Sequence, residues 1–307
     1  MVGSPWRLTC RYNDTMPPEP AVTPSPRRLT RRRFWGAAAL GGLCVGLYTW
    51  RVEPHWVEVV RRDLPVADLP DALVGRTLAQ VNDLHVGPRV DSTYLVECLR
   101  TVSSFEPDLV CVVGDFVTAT GSEAVDDAAR VMETLTRPPL GCFAVLGNHD
   151  YGLRWAHPEI ADRLTKRLAD IGVRVLRNAS TVVNGLRIAG IDDFWGANVG
   201  ASDITTAIAG GGPTVVLCHN PDAADLRGWG DFRGWILAGH THGGQCKPPF
   251  LPPPFVPVMN RRYTAGEFDL GEGRRLYINR GLGHQLRVRF NVRPEITLFR
   301  LVRAEAT

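Results

Sequence analysis

The sequence predicts an α/β fold with mainly parallel early strands, and three observations predict it. Short apolar runs ending in polar residues recur from residue 75 onward, stretches with helical spacing separate the early ones, and five runs end in clusters of His, Asp or Asn. The predicted strands are 78–82, 109–113, 143–146, 186–191, 215–218 and 235–238. Between them, Leu95, Cys98, Leu99 and Val102 recur at helical spacing, as do Val125, Ala128, Ala129 and Met132, and Ile160, Leu164 and Leu168. After Pro248 the chain turns β-rich, with strands expected at 276–279 and 295–302, and no internal repeat is evident.

With 307 residues, 44% of them hydrophobic and 22% charged, the chain is long and apolar enough for one catalytic domain with a sizeable core. The net charge of +3 comes from the first 50 residues, which hold seven Arg against two acids; the remainder has 28 bases and 30 acids. A nucleic-acid footprint on the folded body is therefore not expected. The seven cysteines (10, 44, 98, 111, 142, 218 and 246) have no paired spacing, and Cys111, Cys142 and Cys218 sit in apolar runs, as buried free thiols do.

Residues 1–29 are rich in Pro, Ser and Thr without apolar periodicity, so they read as a disordered segment in which Met16 is an alternative start. At 30–50, Thr30-Arg31-Arg32-Arg33-Phe34 precedes a 16-residue uncharged run, the pattern of a targeting signal, twin-arginine-like, or of a short membrane anchor. Either places the catalytic domain outside the cytoplasm, exported or anchored to the membrane. Residues 51–74 read as a connector and 75–307 as the catalytic domain.

The strand ends carry the chemistry. They read Asp83-Leu84-His85, Gly114-Asp115, Gly147-Asn148-His149-Asp150, Cys218-His219-Asn220 and Gly239-His240-Thr241-His242. Taken singly, a His after a strand is usually a structural hydrogen-bonded residue and an Asp a turn former. Five such ends in one open sheet, however, should converge on the crevice outside its carboxyl edge. Imidazole, carboxylate and amide oxygen together suit Zn, Mn or Fe better than Mg or Ca. Two divalent ions close together need a bridging anion, and Asp115 is the carboxylate expected to supply it. Gly114, Gly147 and Gly239 would let the backbone turn sharply beside the ligands.

The order DLH, GDFV, GNHD, CHNPD, GHTHGGQ over residues 83–246 resembles the calcineurin-like metallophosphoesterases. The segments at 52–59, 276–283 and 293–296, with Tyr263, are similar to the membrane-associated YkuE/YaeI-type phosphodiesterases, extending the resemblance to about 30–302. It implies a four-layer α/β/β/α sandwich, with Asp83, His85 and His242 on one metal, Asn148, His219 and His240 on the other, and Asp115 between them. His149 would bind no metal but would act as general acid or oxyanion stabiliser, while metal-activated water attacks phosphorus. Asp150 would orient His149 or cap the segment that follows. The sequence departs from many relatives after the bridging Asp, where Phe116, Val117 and Thr118 stand in place of a second acid.

The expected function is metal-dependent hydrolysis of a phosphodiester, phosphomonoester or pyrophosphate, lipid-linked or nucleotide-linked. A non-catalytic metal-binding scaffold and a metallo-amidohydrolase are the alternatives; His149 argues against the first, and Asn148 with the His240/His242 pair against the second. The Pro-rich stretch 248–257 follows the last ligands directly, either as an exposed apolar rim or as a packed, stiff connector.

Overall fold

In the computed structural model, residues 30–118 and 122–304 are described; the N-terminal segment 1–29, with Met16, lies outside them. The chain divides into two compact units, Met1–Leu43 and Cys44–Thr307. The described part of the first belongs to helix α1 (Arg31–Leu47), which buries none of its side chains. Among the described residues no helix is long and apolar enough to cross a membrane.

The second unit is built on two six-stranded sheets. In the first, β1 (Glu58–Val66), β12 (Glu295–Arg303), β2 (Thr77–Val81), β3 (Leu109–Val113), β4 (Cys142–Val145) and β5 (Val173–Val175) lie in that spatial order. Strands β2 to β5 are mutually parallel, and β12 runs antiparallel to β2. The second sheet has the order β10 (Gly266–Gly271), β11 (Arg274–Ile278), β9 (Gly234–Ala238), β8 (Thr214–Cys218), β7 (Leu186–Ile191) and β6 (Ala179–Val183). Here β7, β8, β9 and β11 are parallel, and the two outer strands antiparallel to their neighbours.

Alternation along the strands creates the layers. On β3, Leu109, Cys111 and Val113 join the core between the sheets, while Val110 and Val112 face helices α2 (Ser92–Ser104), α3 (Ser122–Met132) and α4 (Pro158–Asp170). On β9, Trp235 and Leu237 face inward while Ile236 and Ala238 pack outward with Ile204 and Ala207 of α5 (Ala201–Ile208). The result is the expected four-layer α/β/β/α sandwich. Helix ends follow local chemistry: Asp91 caps α2 by accepting from Thr93 N at 2.8 Å, and Pro158 opens α4, where its missing N–H costs nothing. One expectation is corrected. The stretch 51–74, read as a connector, contains β1, which pairs in register with β12 from Glu58↔Glu295 to Val66↔Arg303.

Candidate metal centre

Every expected ligand stands just beyond a strand. Asp83 and His85 follow β2, Asp115 follows β3, Asn148 and His149 follow β4, His219 follows β8, and His240 and His242 follow β9. Both sheets therefore deliver their carboxyl ends to one place. The seven expected ligands are buried, none above 5% exposed. Asp83, His85, Asp115, His240 and His242 all adopt positive φ, between 48° and 69°. Such backbone costs roughly 1–3 kcal/mol per non-glycine residue, and it turns each side chain inward where a relaxed strand exit would carry it past the site.

Two groups result. Asp83, His85 and His242 form one, and Asp115, His219 and His240 the other, each with ligand atoms close enough to hold a cation. In the first, His85 Nε2 lies 3.0 Å from His242 Nε2, and Asp83 Oδ1 is 3.3 Å from His242 Nε2 and 3.7 Å from His85 Nε2. In the second, His219 Nε2 is 3.2 Å from His240 Nδ1 and 3.2 Å from Asp115 Oδ2. Asp115 Oδ2 also lies 3.5 Å from His85 Nε2, so one oxygen serves both groups.

The donor chemistry fits cations. His219 Nδ1 donates to Val113 O at 2.8 Å and His240 Nε2 to Pro257 O at 2.8 Å, which turns the His240 Nδ1 lone pair toward His219 Nε2, itself a donor to a cation once its proton is displaced. Asp83 Oδ1 and Asn148 Oδ1 are buried without a hydrogen-bond partner, a costly arrangement that a metal ion would relieve. Burial lowers His85 and His240 to about 3 and His242 well below its usual value, which keeps these imidazoles neutral and able to ligate. Burial also raises Asp83 to about 6. Asp115 is held well below the carboxylate range because, against burial, His219 and His149 stabilise its charge. His219 is the counterpart: burial pushes it down, but the Asp115 carboxylate more than reverses this and raises it to about 10.

His149 sits at the edge of this arrangement. Its backbone N–H donates to Asp115 Oδ1 at 2.9 Å, its ring meets that of His85 edge-on with centroids 5.1 Å apart, and its Nε2 contacts the Gln285 side-chain amide. The Asp150 carboxylate is bonded away from the His149 ring: it accepts from Gly147 N at 2.9 Å and Val117 N at 3.1 Å, tying the β3 and β4 exits together. The glycines are needed where they stand. A Cβ on Gly114, itself at φ 80°, would lie 2.5 Å from His219 Nδ1, and one on Gly147 would strike Asp115 Oδ1.

Several residues outside the ligand motifs complete the site. Asn82 donates to Asp83 Oδ2, which also accepts from His240 N at 3.0 Å, so Oδ1 alone is left to face the first group. Arg289 is wholly buried and donates to the carbonyls of Arg280, Gly281 and Gly283 at 2.7–3.1 Å; Gly283 N in turn donates to Asp83 O at 2.7 Å. The guanidinium thus braces the turn behind Asp83. Trp195 lies edge-on to His240 and stacks on Trp155, each with a centroid distance of 4.7 Å. A mostly apolar cavity of about 300 Å³ begins at His242 and Gln285 and runs out past Cys246, Phe255, Leu286 and Val288. A larger hollow of about 870 Å³, around Thr205, Trp229 and Phe232, includes none of the expected ligands.

Comparison with known proteins agrees with this geometry. The family model for calcineurin-like phosphoesterases matches residues 76–244. The chain is 32% identical to the phosphodiesterase YaeI of Escherichia coli strain K12 over 284 residues, covering 89% of this chain and all of that protein. It is 29% identical to the metallophosphoesterase YkuE of Bacillus subtilis strain 168, covering 90% and 98% of the two chains. Identity to the UDP-2,3-diacylglucosamine pyrophosphatase LpxG of Chlamydia trachomatis is 27%, over 84% and 94%. With the motifs, the layers and the two His/Asp groups all in agreement, the chain belongs to the calcineurin-like phosphoesterase family and is a metal-dependent phosphoester hydrolase.

Proposed function

We propose that this enzyme hydrolyses a doubly substituted phosphate, a phosphodiester or a pyrophosphate, outside the cytoplasm. Asp83, His85 and His242 would hold one divalent ion, Asn148, His219 and His240 the second, and Asp115 would touch both. The observation that carries the reading is the position of Asp115 Oδ2 between His85 Nε2 and His219 Nε2. Divalent Mn, Zn or Fe, when bound, would neutralise phosphoryl oxygens and lower the pKa of water at the centre. The protein's own part is orientation and proton supply. Val113 O and Pro257 O fix the ring tautomers of His219 and His240, and Asn82 with His240 N fixes the Asp83 carboxylate. His149, anchored through its backbone to Asp115, would donate a proton to the departing oxygen.

The substrate class draws on two of the relatives, a phosphodiesterase and a pyrophosphatase of a diacylated, nucleotide-linked sugar. The export reading rests on Arg31 and Arg32, set ahead of Phe34 at the start of α1. The test is the metal content and activity of the Asp115→Ala variant on a soluble nitrophenyl phosphodiester. The parent should carry close to two ions per chain, and the variant should lose both occupancy and turnover. Full occupancy in the variant would remove Asp115 from the bridge.

A further inference from the structure

We propose that residues 247–262 and 285–288 form a surface that seats the enzyme on an anionic lipid bilayer with the metal centre facing the membrane. That docking stands on its own observations; its consequence for substrate entry rests on the phosphoesterase reading above.

The first observation is what the Pro-rich stretch does. Pro253 and Val256 pack down, but the large side chains around them do not. Phe250, Leu251, Phe255 and Met259 stand exposed on the first loop and Leu286 on the second. Apolar side chains of this size on a bare loop tip mark a contact surface. The tip is also held in a strained form, since Phe250 is a bulky aromatic residue at φ 65°. Its base is fixed to the domain: Asp222 accepts from Met259 N and Asn260 N at 2.7 and 2.9 Å, and Pro257 O takes the His240 hydrogen bond. The prolines at 248, 249, 252, 253 and 254 restrict the chain between. The display is therefore pre-organised.

The second observation is charge. No Asp or Glu occurs between Asp231 and Glu267, or between Glu272 and Glu295, whereas Lys247, Arg261 and Arg262 lie exposed around the apolar tip. Asp222 and Asp225 meet the base of the first loop, where they are bonded to Met259, Asn260 and Tyr263. The tip itself carries apolar side chains and bases, which match the headgroup boundary of an anionic leaflet, where each base adds attraction and each apolar side chain inserts. A protein partner with an apolar groove would give the exposed bases no such role.

The third is position. The apolar cavity runs between these two loops inward to His242 and to Gln285 beside His149, so a chain leaving the bilayer would meet apolar walls up to the metal groups. The segment Tyr48–Val52, which continues directly from the apolar α1, is tied to the end of the second loop: Arg289 N donates to Thr49 O at 3.0 Å, and Val292 N to Glu53 Oε1 at 2.5 Å. Residues 48–53 and the exposed loops thus meet at one corner of the domain.

The test uses the full chain and vesicles of phosphatidylcholine, with or without phosphatidylglycerol, carrying bromine on the acyl chains. Leu251→Trp should show bromine quenching beyond that of the parent's own tryptophans, stronger with phosphatidylglycerol and reduced by salt. The double variant Phe250→Asn/Leu251→Ser, in which Asn suits the positive φ, should hydrolyse a soluble nitrophenyl phosphodiester like the parent but a vesicle-embedded phosphodiester at least tenfold more slowly. Absence of excess quenching overturns the docking surface. Equal rates for variant and parent on the embedded substrate overturn its role in substrate entry. A parent inactive on every phosphodiester would count against the phosphoesterase reading alone, with quenching still deciding the docking.

Discussion

His149 is the residue at the centre whose proton, rather than whose lone pair, the proposed chemistry uses. Its ring lies within 5.1 Å of the His85 ring, yet it belongs to neither ligand group. Replacement by Gln should leave metal content unchanged and lower turnover by roughly 100-fold, as loss of a general acid does. The loss should shrink for a nitrophenolate leaving group, which hardly needs a proton; an equal loss with alkoxide and nitrophenolate would assign His149 to charge stabilisation. A second expectation concerns the ligands themselves. Without metal, His219 is raised to about 10 and so keeps a proton at neutral pH, and Asp83, raised to about 6, holds one below that. Ligation needs both groups deprotonated. Metal uptake should therefore release protons, and affinity should climb with pH, by about tenfold per unit while only the His219 proton is displaced, and more steeply below about pH 6. Proton release during titration of the metal-free protein reads this directly, and uptake indifferent to pH would show that the Asp115–His219 ion pair does not form.

At the scale of elements, what the sequence revealed depended on where a strand sits in its sheet. The eight interior strands, β2, β3, β4 and β12 in one sheet and β7, β8, β9 and β11 in the other, are the eight that the apolar runs predict. The four at the edges, β1, β5, β6 and β10, are those the pattern misses. The cause is burial. An interior strand is covered on both faces and reads as an unbroken apolar run, as Leu109–Val113 does, whereas an edge strand must discourage further pairing and carries charge. Arg61-Arg62-Asp63 in β1, and Glu267 and Asp269 in β10, hide the strands that contain them. The short α5 was equally silent, with Ile204 and Ala207 as its buried residues. The centre follows the same logic. The proposed ligands lie just beyond interior strands, and their recurrence at five strand ends, rather than any one of them, made them legible. The residues that support them were not: Gln285 meets His149 across 136 residues of sequence, and Arg289 braces Gly283, whose N–H holds the Asp83 carbonyl two hundred residues away. The left-handed backbone of five ligands is likewise imposed by the hydrogen bonds that join loop to loop, as Asp83 N to Gly114 O and His85 N to Asp115 O, both at 2.9 Å.

For the whole molecule, the order of folding and export matters because the centre exists only once both sheets are closed. The proposed ligands span residues 83 to 242 and follow five strands of two sheets, so the unfolded chain offers no preformed metal site. Which ion enters depends on availability as much as on affinity, so folding and loading before export would fix the metal before the protein meets a different pool. A route that carries folded proteins is the one to which Thr30-Arg31-Arg32-Arg33-Phe34, at the head of the wholly exposed α1, is suited. The competing explanation is that these arginines merely hold the cytoplasmic end of an anchor by charge. Lysine separates the two. Arg31→Lys with Arg32→Lys preserves the charge, so a simple anchor should still display the domain outside, whereas a twin-arginine substrate should stay in the cytoplasm. Protease added to intact cells reads the difference: protection of the double variant, with the parent digested, is the expected result, and equal digestion of both would leave only the anchor.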